Sequence, residues 1–105
     1  MSEEKTYRPE QLVPGEDGVT RSAEREFELN DLAAATFKTK AGQKFLNYLK
    51  NVTINAVTGP HTTDTELRHL EGQRFIVAVI QRRIENGRSG RPNIERGGAG
   101  PGKPK

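Results

Sequence analysis

The residues of this chain that are able to do chemistry are few, and their spacing suits little of it. His61 and His69 stand eight positions apart. A zinc site needs about four ligands at close spacing, commonly with two of them one helical turn apart. The pair therefore reads as surface or capping residues. Asp64, Glu66 and Glu71 supply carboxylates of the kind that hold a divalent ion beside a nucleic acid. Each also has a separate structural use: first-turn carboxylates complement a helix dipole, and Glu66 completes a capping box opened by Thr63. The structural use is the simpler reading. Ser2, Ser22 and Ser89 have no base close in sequence, so nucleophilic catalysis finds no support. No glycine-rich loop leads from a strand into a helix with a following lysine, as a phosphate-binding loop requires. The expectation is a protein that is not an enzyme, with no metal, no cofactor and no small-molecule substrate.

Phosphate neutralisation is the one chemistry left open. Residues 82–105 carry seven basic groups, Arg82, Arg83, Arg88, Arg91, Arg96, Lys103 and Lys105, against Glu85 and Glu95. Elsewhere ten basic residues face twelve acidic ones, so the overall charge of +3 conceals a basic C-terminal end. Such a segment can touch nucleic acid nonspecifically and in a salt-dependent way. A single Arg96-Gly97-Gly98 and the lack of an aromatic residue for base stacking weigh against more than that. A solvated tail, or an arm laid on neighbouring subunits, is the alternative.

The elements that would position these residues are helical. Ser22 caps a first helix over 22–36, whose apolar face is drawn from Phe27, Leu32 and Ala35, with Leu29 or Ala34 beside them. Thr39 caps a second over 39–52, with Ala41, Phe45, Leu46, Leu49 and Val52 in one stripe and Lys40, Lys44 and Lys50 outside it. Thr63 opens a third over 63–86, and Gly87 after Asn86 stops it. This third helix contains Phe75-Ile76-Val77-Ala78-Val79-Ile80, apolar on every side, in a chain that is only 31% hydrophobic. The predicted fold is all-α: a small three-helix domain over 22–86, an extended N-terminal arm over 1–21 and a flexible, Gly/Pro-rich basic tail over 87–105.

A core of that size buries only about 60% of the surface its unfolded chain exposes, and often needs a partner. Part of the apolar run is therefore expected to be covered by another copy or another protein, with Arg74, Phe75, Val77, Ile80 and Ile84 at the interface. Gly42 and Gly72 sit where a better helix former is worth about 1 kcal/mol, which suggests close helix crossings. Arg74 is expected to pack its stem beside the run and reach a carboxylate or carbonyl within the chain or across subunits. With no cysteine, no disulfide framework is available. The acidic start, Met1-Ser2-Glu3-Glu4-Lys5, has no apolar stretch behind it and does not read as a secretory signal, and six apolar residues do not span a bilayer.

The pattern Phe37-x-Thr39-x-x-Gly42-x-x-x-Leu46-x-x-Leu49, followed by Thr65 and by Glu71-Gly72-Gln73-Arg74 ahead of an apolar helix, resembles a family of small bacteriophage proteins. These are encoded among the virion structure and assembly genes of tailed phages, particularly short-tailed ones. The resemblance spans about residues 31–86 and neither end of the chain. It implies a non-enzymatic virion or morphogenesis component whose partners are other virion proteins or copies of itself, located in the virion and, during assembly, in the host cytoplasm. It carries over no catalytic residue. The alternatives are a DNA-associated accessory protein using the basic tail and a small regulator binding an enzyme through the N-terminal arm.

Overall fold

The computed structural model describes residues 6–94. Its helices begin where the capping residues stand. The Ser22 hydroxyl accepts the backbone N–H of Arg25 and starts α1 (Ala23–Thr36). Thr39 accepts from Gly42 and starts α2 (Lys40–Asn51). Thr63 and Glu66 cap each other's free backbone N–H groups at the start of α3 (Asp64–Arg88). The third helix runs past Asn86-Gly87. Its C-cap is Ser89, and Gly90 after it takes the left-handed conformation, φ 92°, that ends many helices.

The architecture is mixed α/β, not all-α. Two small sheets accompany the helices: β2 (Leu12–Pro14) pairs antiparallel with β3 (Thr20–Ser22), and β1 (Thr6–Tyr7) pairs parallel with β4 (Asn93–Ile94). The residues read as interrupting an extended arm are turn chemistry. Pro14 lies on an edge strand, where its missing N–H costs no ladder bond. Gly15 and Gly18 close the turn through Gly18 N–H to Gly15 O and Gly15 N–H to Val19 O, both 3.0 Å, with Gly18 at φ 88°. Most of the predicted arm, and the first part of the predicted tail, are therefore folded against the helices.

Val13, Ala23, Val77, Val79 and Ile84 are the buried apolar residues, with Tyr7 and Phe27 in edge-to-face contact at 5.2 Å. Helix α1 crosses the C-terminal half of α3 at Gly87. A Cβ there would collide with the Asn30 carbonyl oxygen and approach the Ala34 side chain to 2.7 Å. The face that α1 turns inward is only partly the predicted apolar one: Phe27 meets Tyr7 and Ala34 lies against Gly87. Glu26 and Asn30 are buried, whereas Leu32 and Ala35 are exposed.

Helix α2 is held to α3 mainly at its C-terminal end. The Arg74 guanidinium donates to the carbonyls of Thr53 at 2.9 Å and Ala56 at 2.8 Å, and to Glu71 at 3.2 Å. The carbonyl that Thr53 offers belongs to a buried residue, whose hydroxyl in turn donates to Leu49 O at 2.6 Å. The predicted reach of Arg74 is thus made within the chain, to two carbonyls of the α2–α3 connection.

Candidate functional site

Helix α2 is sharply divided into apolar and polar faces, yet none of its residues is buried. Phe45 and Tyr48, whose rings stand 5.5 Å apart, are 59% and 55% exposed. On α3, Phe75 and Ile76 are 47% and 54% exposed, while the next residue, Val77, is 4% exposed. The apolar run is therefore split by helical phase. Val77, Val79 and, further on, Ile84 close the internal core, Ala78 and Ile80 are half-buried, and Phe75 and Ile76 face outward.

Ile76 borders a groove of about 770 Å³ between α2 and α3. Leu49, Val52 and Thr53 form one wall, and Gly72, Ile76 and Ile80 run along the other, with Arg68 and His69 at its edge. Chemically it is a surface for burying apolar side chains. Among the described residues no group of three or more His, Cys, Asp and Glu side chains is placed to hold a metal ion. Among them, too, no helix is long and apolar enough to cross a membrane.

The two glycines expected at helix crossings differ. A Cβ on Gly42 would stand 2.7 Å from Thr36 O and 3.0 Å from Phe37 Cα, so α2 begins tight against the end of α1. At Gly72 a Cβ would meet nothing within 4 Å, and the close α1–α3 crossing is at Gly87 instead.

Three of the cations expected to be available to nucleic acid are held by carboxylates of the chain itself. Arg83 is buried and donates to both Glu26 oxygens, at 2.9 and 3.3 Å, and to Asn30 Oδ1 at 3.0 Å. Arg82 binds Glu16 at 2.9 Å, and Arg91 binds Asp31 at 2.6 Å. Arg88 is exposed at the end of α3, and Arg96, Lys103 and Lys105 lie outside the described residues. Arg21 completes the cluster, bridging Glu26 at 2.7 Å and Asp17 at 2.9 Å. Burial opposes ionisation of Glu26, but hydrogen bonds from Arg83, Arg21 and the backbone N–H of Glu16 outweigh it and hold the carboxyl below its ordinary range. The hydrogen bonds from Arg21 hold Asp17 well below that range too. Sequence reasoning missed Glu16, Asp17, Arg21, Glu26 and Asn30. Asp17, Arg21 and Glu26 lie four and five positions apart, but the partners that join them to α3 are up to 70 residues away, as Asn86 is from Glu16. The one available signal was the Arg82-Arg83 pair closing an apolar run on a helix long enough to pass other elements.

No curated protein and no solved structure shows a significant match to the chain. The segment that holds α2, the groove and all of α3 does match a known family. Residues 33–92 fit the family described as Bbp19-like phage protein, and with more than half its length matched the chain belongs to that family.

Proposed function

We propose that this phage protein is a non-enzymatic component of the virion or of its assembly, and that it acts by docking through the α2–α3 face. One observation carries the reading: a helix with a well-formed apolar stripe has no buried residue, and it borders an open apolar groove on α3. An amphipathic helix gains most of its stability by burying its apolar face, so an unburied one is made for a partner. The groove lies wholly within the matched segment, whereas the β2–β3 hairpin and most of α1 precede it. The virion, and the host cytoplasm during assembly, are its proposed locations.

Ile76→Glu is the variant of choice, because Ile76 is exposed in the isolated chain whereas Val77 is part of the core. In phage carrying it, the protein should be lost from purified particles, read by mass spectrometry, or particle yield should fall. Wild-type particles without the protein, or Ile76→Glu particles normal in content and yield, would sink the proposal. Strongly salt-dependent DNA binding that disappears on deletion of residues 95–105 would favour the accessory-protein alternative. That alternative draws on a reduced set of cations, since Arg82, Arg83 and Arg91 are engaged internally.

A further inference from the structure

We infer that Arg82, Asn86 and Arg91 form a binding face for the phosphate backbone of duplex DNA, and that the chain's own Glu16 and Asp31 cover it until phosphate displaces them. This face lies outside the α2–α3 groove, so the contact is independent of the docking reading above.

The ligand is indicated by what the chain itself places there. Arg82 Nε donates to one oxygen of the Glu16 carboxylate at 2.9 Å, and Asn86 Nδ2 donates to the other at 3.0 Å. The two donors stand four positions apart on α3, so they share a face and converge on one oxyanion. Arg91 Nε holds Asp31 at 2.6 Å, and Asn86, Arg91 and Asp31 border one depression, so the two sites are neighbours. A phosphate diester offers such donors the same pair of charged oxygens as a carboxylate.

The origin of the cover is the second observation. Arg82, Arg83 and Arg91 lie within the matched segment 33–92, whereas their partners Glu16, Asp17, Glu26 and Asp31 all precede it. The family segment carries the donors, and the residues ahead of it carry the carboxylates.

The third is that these two pairs are open enough to exchange. Side-chain exposure is 47% and 31% for Arg82 and Glu16, and 32% and 43% for Arg91 and Asp31. Ion pairs so open to water contribute at most about 1 kcal/mol. Arg83 differs, since it is buried with Glu26 and keeps α1 on α3. The Glu16 side chain can turn away without unfolding the hairpin, because its backbone N–H is tied to Glu26 at 3.1 Å and the turn is closed by its own backbone bonds.

A single phosphate needs only one such site. Two neighbouring sites, followed in sequence by Arg96, Lys103 and Lys105, suit an anion whose charges repeat. Residues 82–105 contain no aromatic side chain to stack on a base, which favours the backbone of a duplex over a single strand.

The purified full-length chain and a fluorescently labelled DNA duplex of mixed sequence test this by anisotropy over a range of salt concentrations. Glu16→Gln/Asp31→Asn should bind at least about 10-fold more tightly than wild type at about 50 mM salt, with a salt dependence steeper by about two counterions. Asp64→Asn/Glu66→Gln removes the same charge about 24 Å away along α3 and should give no such gain. Adding Arg82→Gln/Arg91→Gln to the first variant should cancel its gain. If that variant fails to fold, Asp31→Asn alone carries the test, with a gain of about 3-fold that Arg91→Gln cancels. A folded variant that binds no more tightly than wild type, or an equal gain in Asp64→Asn/Glu66→Gln, would overturn the inference. Polyglutamate that competes as well as unlabelled duplex would overturn it too, in favour of an acidic protein.

Discussion

Arg83 on α3 grips both carboxylate oxygens of Glu26 on α1, 57 residues away in sequence, and both side chains are buried where a helical protein of this size would normally place apolar residues. Removing one partner strands the other charge in a dry site. Arg83→Met should destabilise the fold by about 3 kcal/mol, whereas Glu26→Leu/Arg83→Met should stay within about 1 kcal/mol of wild type. Urea denaturation reads both. Equal losses in the two variants would mean that the pair contributes favourably in its own right.

The same cluster sets a pH dependence. Glu26 and Asp17 are both held below their ordinary carboxyl values in the folded state, so near those values the unfolded chain binds more protons than the folded one. Their contribution is present above about pH 4 and is lost progressively as the pH falls below it. Thermal denaturation should show the midpoint dropping across this acidic window. Glu26→Gln should flatten the drop, and an unchanged slope in that variant would contradict the assignment.

Gly87 and Gly72 should respond oppositely to alanine. At Gly87 the new methyl would strike the Asn30 carbonyl and the Ala34 side chain, with a cost of about 2 kcal/mol as α1 is pushed from α3. At Gly72 there is open space, and Gly72→Ala should gain up to about 1 kcal/mol from helix propensity. Denaturation separates the two. A stabilising Gly87→Ala would mean that the crossing is looser than described.

Arg74 is a clamp that lysine cannot replace. One ammonium does not reproduce a planar fork that reaches two carbonyls and a carboxylate at once. Arg74→Lys should cost about 1–2 kcal/mol. It should also speed amide exchange through residues 53–62, the connection whose carbonyls it holds. Unchanged exchange there would assign the anchoring of α2 to its apolar contacts instead.

What the sequence made legible was local. Ser22, Thr39 and Thr63 each announced a helix because capping is decided within three residues, and the helices start one residue later. The end of α3 was missed by two residues because Asn86-Gly87 resembles a stop, whereas Gly87 is there to let α1 approach. The inward face of α1 was read only in part, through Phe27 and Ala34, and for a different reason. Its burial depends on cations supplied by Arg21 and Arg83, and Glu26 and Asn30 look like solvent residues until those partners are in place. The strands escaped notice because each is two or three residues long, too short for alternation to show. At the candidate site, the surplus apolarity of Phe75–Ile80 was visible, but which residues keep facing outward was not. That depends on the angle at which α1 covers α3.

The parallel pairing of Thr6 with Asn93 and Tyr7 with Ile94 has a mechanical meaning. Because the two strands run the same way, a pull applied through the N-terminal end of one and the C-terminal end of the other loads the pair in shear. The described chain is thus closed on itself by a short latch. Tension between its two ends reaches that latch before it reaches the helices, leaving α2 and α3 to keep their mutual position until the latch gives.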